Sequence, residues 1–417
     1  MFKKTIFIFL FSLTTYLLAQ DIDYARKVID TLCSPTMHGR GYTQRGHLKA
    51  ARYISREYKR HGLLMFNMTY YQPFNIDVNT FPGDMVMTID GKVMYPGRDF
   101  QIHPGSAGID GDYQVLHISE AELLDSLVRE QVLTQGNFKG KVVCLHYSEA
   151  NASTLTEILE PFKQRARAAA YIVPVFKKLT WHVKTLPIDY TEIQLVSKHF
   201  SHFGKVYFNI DSEFCSKMET NNVIGYIEGS EQPDSFYVFS AHYDHLGGMG
   251  KNTYIPGAND NASGIAMLLN LMQHFRQYRP RYSVAFIAFG GEELGLLGSR
   301  HYVEQPFFPL SRIKFLINLD IVGTGEEGIT VVNGTEFEKA FDKLTLINAR
   351  SKLLPQIKTR GTAANSDHYP FYQKHVPCFF IYTMGGIKAY HDIDDRAQTL
   401  PLTEFPDLMN LLLEFAQ

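Results

Sequence analysis

Polar side chains that could carry acid–base or metal chemistry follow the ends of several predicted strands. The apolar run 236–240 leads into A-H-Y-D-H-L-G, and the run 283–289 leads into G-G-E-E-L-G. A third run, 313–319, ends at Asp320, and the loop P-G-A-N-D-N-A-S-G places Asp260 just before a predicted helix. The residues that share this setting are His242, Asp244, Asp260, Glu292, Glu293, Asp320 and His391. In an open parallel sheet the strand ends meet at one edge, so we expect these side chains to converge.

This mixture of carboxylates and imidazoles predicts a metal site. Each residue alone has a simpler explanation, since Asp260 could cap a helix and Glu292 with Glu293 could be a solvated pair. Together, however, so many acidic groups at one sheet edge would repel one another, or be costly to desolvate, without a cation between them. Nitrogen and oxygen ligands without thiolate suit zinc, with cobalt or manganese as substitutes.

The elements that must position these residues alternate between strands and helices. From residue 222 onward, short apolar runs are separated by helical patterns such as 263–278, as expected for strands buried on both faces. The pattern predicts an α/β fold with a mostly parallel central sheet flanked by helices. Residues 82–208 differ, because a hairpin signal at Asp90 and Gly91 and several further short strands predict a separate strand-rich unit.

Six motifs in a fixed order give the sequence a family resemblance. They are A-H-Y-D, P-G-A-N-D-N-A-S-G, G-G-E-E-L-G-L-L-G-S, N-L-D-I-V-G, S-D-H-Y-P-F and Y-H-D-I-D-D. As an ordered set they resemble the co-catalytic di-zinc aminopeptidases of clan MH, of the bacterial leucyl aminopeptidase or aminopeptidase Y type. In addition, F-K-G-K-V-V-C-L followed by A-R-A-A-A-Y-I-V-P-V resembles the protease-associated domain that many members carry as an insertion.

The resemblance implies a set of metal ligands. In the family pattern, Asp260 corresponds to a carboxylate that bridges two zinc ions. Glu293 and His391 correspond to the further ligands of one ion, and His242 and Asp320 to those of the other. All five positions hold the residue type that the family pattern requires.

The resemblance also implies a reaction. Glu292, next to a ligand, corresponds to the general base, and Asp244 corresponds to a carboxylate that orients His242. The implied activity is removal of N-terminal residues from peptides with free N-termini. It would use a water molecule activated by two cations and a nearby carboxylate that takes its proton.

The same reasoning predicts how the chain is divided. Lys3 and Lys4, an apolar run and Ala19 indicate that residues 1–19 are a cleaved signal peptide, and later apolar runs are too short to span a membrane. We therefore expect export to the periplasm or the medium. Residues 20–81 and 209–417 are predicted to form a discontinuous catalytic domain, and 82–208 a protease-associated-like insertion.

Charge and cysteine usage exclude other classes. With 41 basic and 43 acidic residues, the chain lacks the positive surplus of a protein that binds nucleic acid through phosphates. The cysteines are scattered without a C-x-x-C pair, so their spacing suggests neither a thiolate zinc site nor a redox motif.

Some alternatives stay open at this stage. A glutaminyl-cyclase-like enzyme would share the scaffold, but G-G-E-E-L-G and Tyr390 before His391 depart from the cyclase pattern. A carboxypeptidase would need basic residues for the terminal carboxylate, and Arg300, Lys388 and Arg396 are near in sequence. A non-catalytic binding module would require missing ligands. The preferred terminal residue and the oligomeric state are not predicted.

Overall fold

The computed structural model describes residues 22–417 and contains two eight-stranded sheets. In chain order, the strands are β1 Tyr71–Thr80, β2 Met85–Ile89, β3 Lys92–Met94, β4 Phe100–Ile102, β5 Ile109–Ile118, β6 Val142–Leu145, β7 Ala170–Val175, β8 Thr191–Val196, β9 Lys205–Ile210, β10 Glu213–Ile227, β11 Gln232–His242, β12 Tyr282–Phe289, β13 Ile313–Leu319, β14 Ile329–Val332, β15 Ile357–Arg360 and β16 Cys378–Thr383. The helices are α1 Ile22–Leu32, α2 Gly46–Arg60, α3 Glu120–Leu124, α4 Ser126–Gln135, α5 Ala152–Ala166, α6 Ser263–Gln277, α7 Leu297–Glu304, α8 Glu338–Ser351, α9 His368–Gln373 and α10 Phe405–Phe415. The predicted signal peptide, 1–19, lies outside the described residues.

The first sheet has the strand order β1-β10-β12-β11-β13-β16-β14-β15. Its four central strands, β12, β11, β13 and β16, are parallel to one another. Towards one edge β10 and β1 pair antiparallel, and towards the other β14 pairs antiparallel to β16. The predicted α/β class with a largely parallel central sheet is confirmed.

Helices cover both faces of this sheet. On β11, Phe239 packs into the large apolar cluster that includes α1, α6 and α10. Its neighbour Val238 packs into a second cluster on the opposite face, which includes residues of α7 and α9. Since successive residues of a strand point to opposite faces, two covered faces explain the continuous apolar runs of the central strands.

The second sheet has the order β3-β2-β9-β5-β6-β7-β8-β4, and all its strands lie between Met85 and Ile210. Strands β5 to β8 are parallel, whereas β2, β3, β4 and β9 pair antiparallel. The hairpin predicted at Asp90 and Gly91 joins β2 to β3. Among the described residues, no strand of the second sheet pairs with a strand of the first.

Two helix predictions differ from the structure. A single helix is expected from Ser119, whose capping box is present, but the helix breaks at Asp125, which accepts from backbone N–H groups and begins α4. The sequence pattern also predicts a helix from Glu293 to about Tyr302, and its predicted start is wrong because α7 begins only at Leu297. Gly295 has a φ of 97° and keeps the intervening residues in a turn.

Within residues 22–417, the structure has no helix that is long and apolar enough to cross a membrane. The four cysteines are all free thiols in this part of the chain, and three of them, Cys33, Cys144 and Cys378, are buried.

A substitution at Gly264 tests how closely α6 approaches the sheet. A Cβ atom at this position would lie 2.3 Å from Asn261 Oδ1 and 2.5 Å from the backbone oxygen of Leu319. We expect Gly264→Ala to lower the free energy of unfolding by about 2 kcal/mol, measured by urea denaturation, because the helix or the strand end must move. Gly204→Ala, where a Cβ would meet no atom within 4 Å, is the matched control and should change stability by less than about 0.5 kcal/mol. Equal stabilities of the two variants would contradict this packing.

Candidate metal centre

The structure brings the predicted site residues together at the carboxyl edge of the central strands. His242 is the last residue of β11, Asp320 follows β13, and Glu292 and Glu293 lie in the turn after β12. The loop before α6 supplies Asp260, and the loop after β16 supplies His391. Three groups of potential ligand atoms lie within 4.8 Å of one another here: His245, Asp260, Glu293 and His391; His242, Asp260 and Asp320; and His242, Glu292 and Glu293.

Asp260 lies between two histidines. Its Oδ1 is 3.2 Å from His242 Nε2, and its Oδ2 is 3.0 Å from His391 Nε2. His242 Nε2 is also 3.3 Å from Asp320 Oδ1, and His391 Nε2 is 3.4 Å from Glu293 Oε2. Each histidine therefore faces two carboxylates, and Asp260 is shared by both.

The other ring nitrogens fix the tautomers of these histidines. His242 Nδ1 lies 3.1 Å from the backbone oxygen of Asp244, and His391 Nδ1 lies 3.1 Å from the backbone oxygen of Trp181. A carbonyl oxygen only accepts, so each Nδ1 carries the hydrogen and each Nε2 of a neutral ring presents a lone pair. Lone pairs on nitrogen then face lone pairs on carboxylates, and this donor set fits a cation placed between them.

The electrostatics of the site favour positive charge. Burial alone would lower the pKa of His242, but neighbouring carboxylates, led by Asp320, outweigh burial and raise the pKa well above its usual value. Burial also acts to lower the pKa of His391, yet Glu293 and Asp260 raise the pKa to about 9. The negative charge of these carboxylates would favour a divalent cation in the same way.

Asp244 supports the turn that carries the two glutamates. Its carboxylate accepts from Tyr42 Oη at 2.8 Å, from the N–H of Glu292 at 3.1 Å and from the N–H of Glu293 at 3.4 Å. The carboxylate lies 3.9 Å from His242 Nδ1, whose hydrogen bond goes to the backbone oxygen of Asp244 instead. The residue expected to orient His242 thus holds this ring through its main chain and the glutamates through its side chain.

Glu292 is held in a different environment from its neighbour. Burial raises the pKa of Glu292 well above its usual range, and Glu293 and Asp367 act in the same direction. At Glu293, burial acts to raise the pKa, but His391 overcomes it and the pKa is lowered. One glutamate therefore favours holding a proton and the other favours ionisation, which suits different roles.

Residues beside the motifs complete the surroundings. His245 Nδ1 lies 2.6 Å from Glu293 Oε1, and its Nε2 is buried without a hydrogen-bond partner among the described residues. Ser366 donates to Asp320 Oδ2 at 2.8 Å, whereas Asp367 is fully buried and burial raises its pKa to about 7. Ser366 therefore orients a carboxylate of the centre.

Sequence reasoning missed the contribution of the second sheet's connecting segment. Between β7 and β8, Trp181 donates its N–H to the backbone oxygen of His391 at 2.9 Å and accepts from His391 Nδ1. Lys178 donates to the backbone oxygens of Lys388 and Tyr390 at 2.8 and 3.1 Å. Each of these contacts has a main-chain atom on at least one side, so the sequence motifs carry no signal for them.

Two cavities open beside the centre. One, of about 210 Å³, is lined by Asp260, Thr324, Thr383, Lys388 and Tyr390 among others. The second, of about 450 Å³, is lined by Glu293, Leu294 and residues of the second sheet's segments, including His103 and His182. Both cavities thus border residues of the centre.

Part of the chain matches a known protein family. Residues 222–416 match the model described as peptidase family M28. Over this segment the chain is similar to the M28 peptidases. The predicted resemblance to the clan MH zinc aminopeptidases is confirmed, and the M28 segment contains all seven predicted site residues.

Curated relatives of this chain are described as peptidases. Aminopeptidase YwaD of Bacillus subtilis is 34% identical over 159 residues, which cover 37% of this chain and 33% of that protein. A probable zinc metalloprotease of Pyrenophora teres f. teres is 38% identical over 112 residues, 26% of this chain and 24% of that protein. The chain thus spans about a quarter to a third of the curated relatives it matches.

A solved structure shares the fold over nearly the full chain. The zinc aminopeptidase BSAP of Bacillus subtilis superposes with a TM-score of 0.69 at 18% identity, covering 94% of this chain and 93% of that one. At this identity the likeness shows the fold, which therefore includes a counterpart to most of residues 22–417.

A substitution of Arg40 tests whether this residue supports the loop that carries Asp260. Its guanidinium is fully buried, and its five N–H groups donate to the backbone oxygens of Leu32, Tyr243, Pro256, Gly257 and Asp260. Arg40→Lys retains the charge but offers only three donors, so at least two carbonyls lose their partner. We expect a loss of about 3 kcal/mol in the free energy of unfolding, measured by urea denaturation.

Arg56→Lys, on the exposed face of α2, is the control and should leave stability within about 0.5 kcal/mol of the parent. A similarly small effect at Arg40 would mean that the loop does not depend on this residue.

Proposed function

We propose that this chain is an exported zinc aminopeptidase that removes N-terminal residues from peptides with two zinc ions. The observation that carries the proposal is Asp260, whose two carboxylate oxygens face two different histidines at 3.2 and 3.0 Å. A carboxylate placed in this way can bridge two cations. A single-ion site would leave one histidine and its carboxylate partner without a role.

The proposed ligands follow from the two halves of the centre. Glu293 and His391 would hold one zinc and His242 and Asp320 the other, with Asp260 between them. The nitrogen and oxygen donors fit zinc, and the names of the relatives describe zinc enzymes. When bound, the zinc ions would polarise the scissile carbonyl and lower the pKa of a water molecule.

Glu292 is the proposed general base. One of its oxygens lies within 4.8 Å of ligand atoms of His242 and Glu293, so it is close enough to take a proton from a water molecule there. It would pass this proton to the amine that leaves when the peptide bond breaks. Asp244 would position Glu292 by accepting the hydrogen bond from its N–H.

The shape of the site supports removal of single residues. The cavity beside Asp260, about 210 Å³, is smaller than the 300–1,000 Å³ typical of pockets for drug-sized ligands, so it suits one side chain. We further propose that residues 82–208 are the protease-associated-like insertion, and that their 178–182 segment limits access to the centre through its contacts with the His391 loop. Export would follow from cleavage of residues 1–19.

Carboxypeptidase activity is the second candidate, because Lys388 lines the cavity beside Asp260. An ammonium group there could bind the terminal carboxylate of a peptide. The other two basic residues considered from the sequence are engaged elsewhere: Arg300 donates to the backbone oxygen of Gly295, and Arg396 pairs with Asp394.

The proposal is tested by mass spectrometry of a peptide pool incubated with the purified protein, with and without a chelator. The pool contains free, acetylated and glutamine-bearing N-termini. We expect stepwise loss of single residues from free N-termini only, abolished by the chelator and restored by Zn²⁺. Trimming from the C-terminus would support the carboxypeptidase instead, and loss of ammonia without shortening would support a glutaminyl cyclase.

The role of Glu292 has its own test. Glu292→Gln removes the proton acceptor but keeps the size of the side chain, so kcat should fall by about 10²- to 10⁴-fold while the zinc content measured by mass spectrometry is unchanged. Glu304→Gln, an exposed glutamate at the end of α7, should retain full kcat. If Glu292→Gln turned over at the parent rate, another group would have to be the base.

A further inference from the structure

The second sheet holds a cluster of metal-binding residue types far from the M28 motifs in sequence. His117 on β5 is paired in parallel register with Cys144 on β6. His146 follows Cys144 by two residues, and the N–H of His146 continues the ladder by donating to Ile118. Residues two apart on a strand share a face, so one sheet face presents a thiol and two imidazoles side by side.

Their ligand atoms converge. The ligand atoms of His117, Cys144 and His146 all lie within 4.8 Å of one another. His117 Nδ1 and His146 Nε2 are 2.6 Å apart. Of the four such groups among residues 22–417, this group alone contains a cysteine.

The tautomer of His117 leaves a lone pair directed into the cluster. His117 Nε2 lies 2.8 Å from the backbone oxygen of Phe203, which can only accept, so Nε2 carries the hydrogen. Nδ1 of the neutral ring is then the atom that faces His146 and Cys144. His242 and His391 at the M28 site are oriented in the same way. A carbonyl accepts from one ring nitrogen, so that the other nitrogen points at a common centre.

Aromatic rings enclose the cluster. His202 stacks on His117 with centroids 4.4 Å apart, and Phe200 packs edge-on against His146 at 5.0 Å. Cys144 is fully buried, and burial raises the pKa of its thiol. A cation would therefore enter a site of low polarity, where its interaction with a thiolate is strong.

We propose that His117, Cys144 and His146 bind a zinc ion in the second sheet, independently of the M28 centre. One thiolate and two imidazoles are a donor set that zinc prefers, and a water molecule would complete four ligands. On binding, the thiol of Cys144 gives its proton to solvent and its sulfur bonds to the ion. The two histidine nitrogens would separate by about 0.7 Å to reach the spacing of ligands around a tetrahedral zinc with bonds of about 2.0–2.1 Å.

The ion would join β5 to the end of β6, and His117 Nε2 connects this site to the segment that carries Phe203. Cysteine spacing alone does not suggest this site, because the group contains only one cysteine. His146 lies two residues after Cys144, and His117 lies on the paired strand β5.

Cobalt provides a test that sees only this site. The full chain is dialysed against a chelator, kept under anaerobic conditions with a thiol-free reductant, and titrated with Co²⁺. A thiolate bound to Co²⁺ gives a charge-transfer band in the near ultraviolet, whereas the M28 centre has no sulfur among its proposed ligands. We expect the parent to show this band and to bind one equivalent more zinc than Cys144→Ser.

Cys215→Ser is the matched control, since this cysteine lies on β10 outside the cluster. It should retain the band and the full zinc content, while Cys144→Ser and His146→Gln lose the band. The absence of the band in the parent chain would overturn the proposal without reference to any variant, and so would a band that persists in a folded Cys144→Ser. Glu292→Gln should keep the band whatever its peptidase activity, so failure of the proposed aminopeptidase is distinguishable from failure of this site.

Discussion

The structure of the M28 centre depends on one electrostatic constraint, the close approach of carboxylates that would otherwise repel one another. Asp260, Glu293 and Asp320 lie around the two histidine Nε2 atoms, and the raised pKa values of the histidines express how strongly these carboxylates favour a positive partner. Much of the surrounding structure holds these groups in place against repulsion. Arg40 fixes the Asp260 loop by its carbonyls, and Asp395 accepts from the N–H of Asp260 at 3.1 Å.

The fold positions these side chains at the ends of strands. Parallel strands β11, β12 and β13 all end at the same edge, and the turn after each can place one or two side chains there with little extra structure. These strands are buried on both faces, so the site residues extend from the apolar core of the chain. The last of these residues, His391, lies in the loop after β16, and contacts with the 178–182 segment support this loop.

The sequence is informative where chemistry and periodicity coincide. The apolar runs before His242 and Asp320 locate strand ends, and the polar residues after them could therefore be assigned to one edge. The start of α7 was not predictable in this way, because the two glutamates belong to a turn made by flanking glycines. β1 shows alternation at Phe74, Ile76 and Val78, but its partner, the polar first half of β10, carries no such pattern, and that antiparallel ribbon becomes evident only when the two strands pair.

The contact between Trp181 and His391 gives the second sheet a thermodynamic link to the centre. Its carbonyl selects the tautomer of His391 that presents Nε2 to Asp260, so seating of this segment and cation binding at His391 would favour each other. Coupling free energy is reciprocal. If docking of the segment raises the affinity of the centre for the cation, cation binding stabilises the docked segment by the same amount. Cation binding at the centre would thus change the stability of a sheet that supplies none of the proposed ligands.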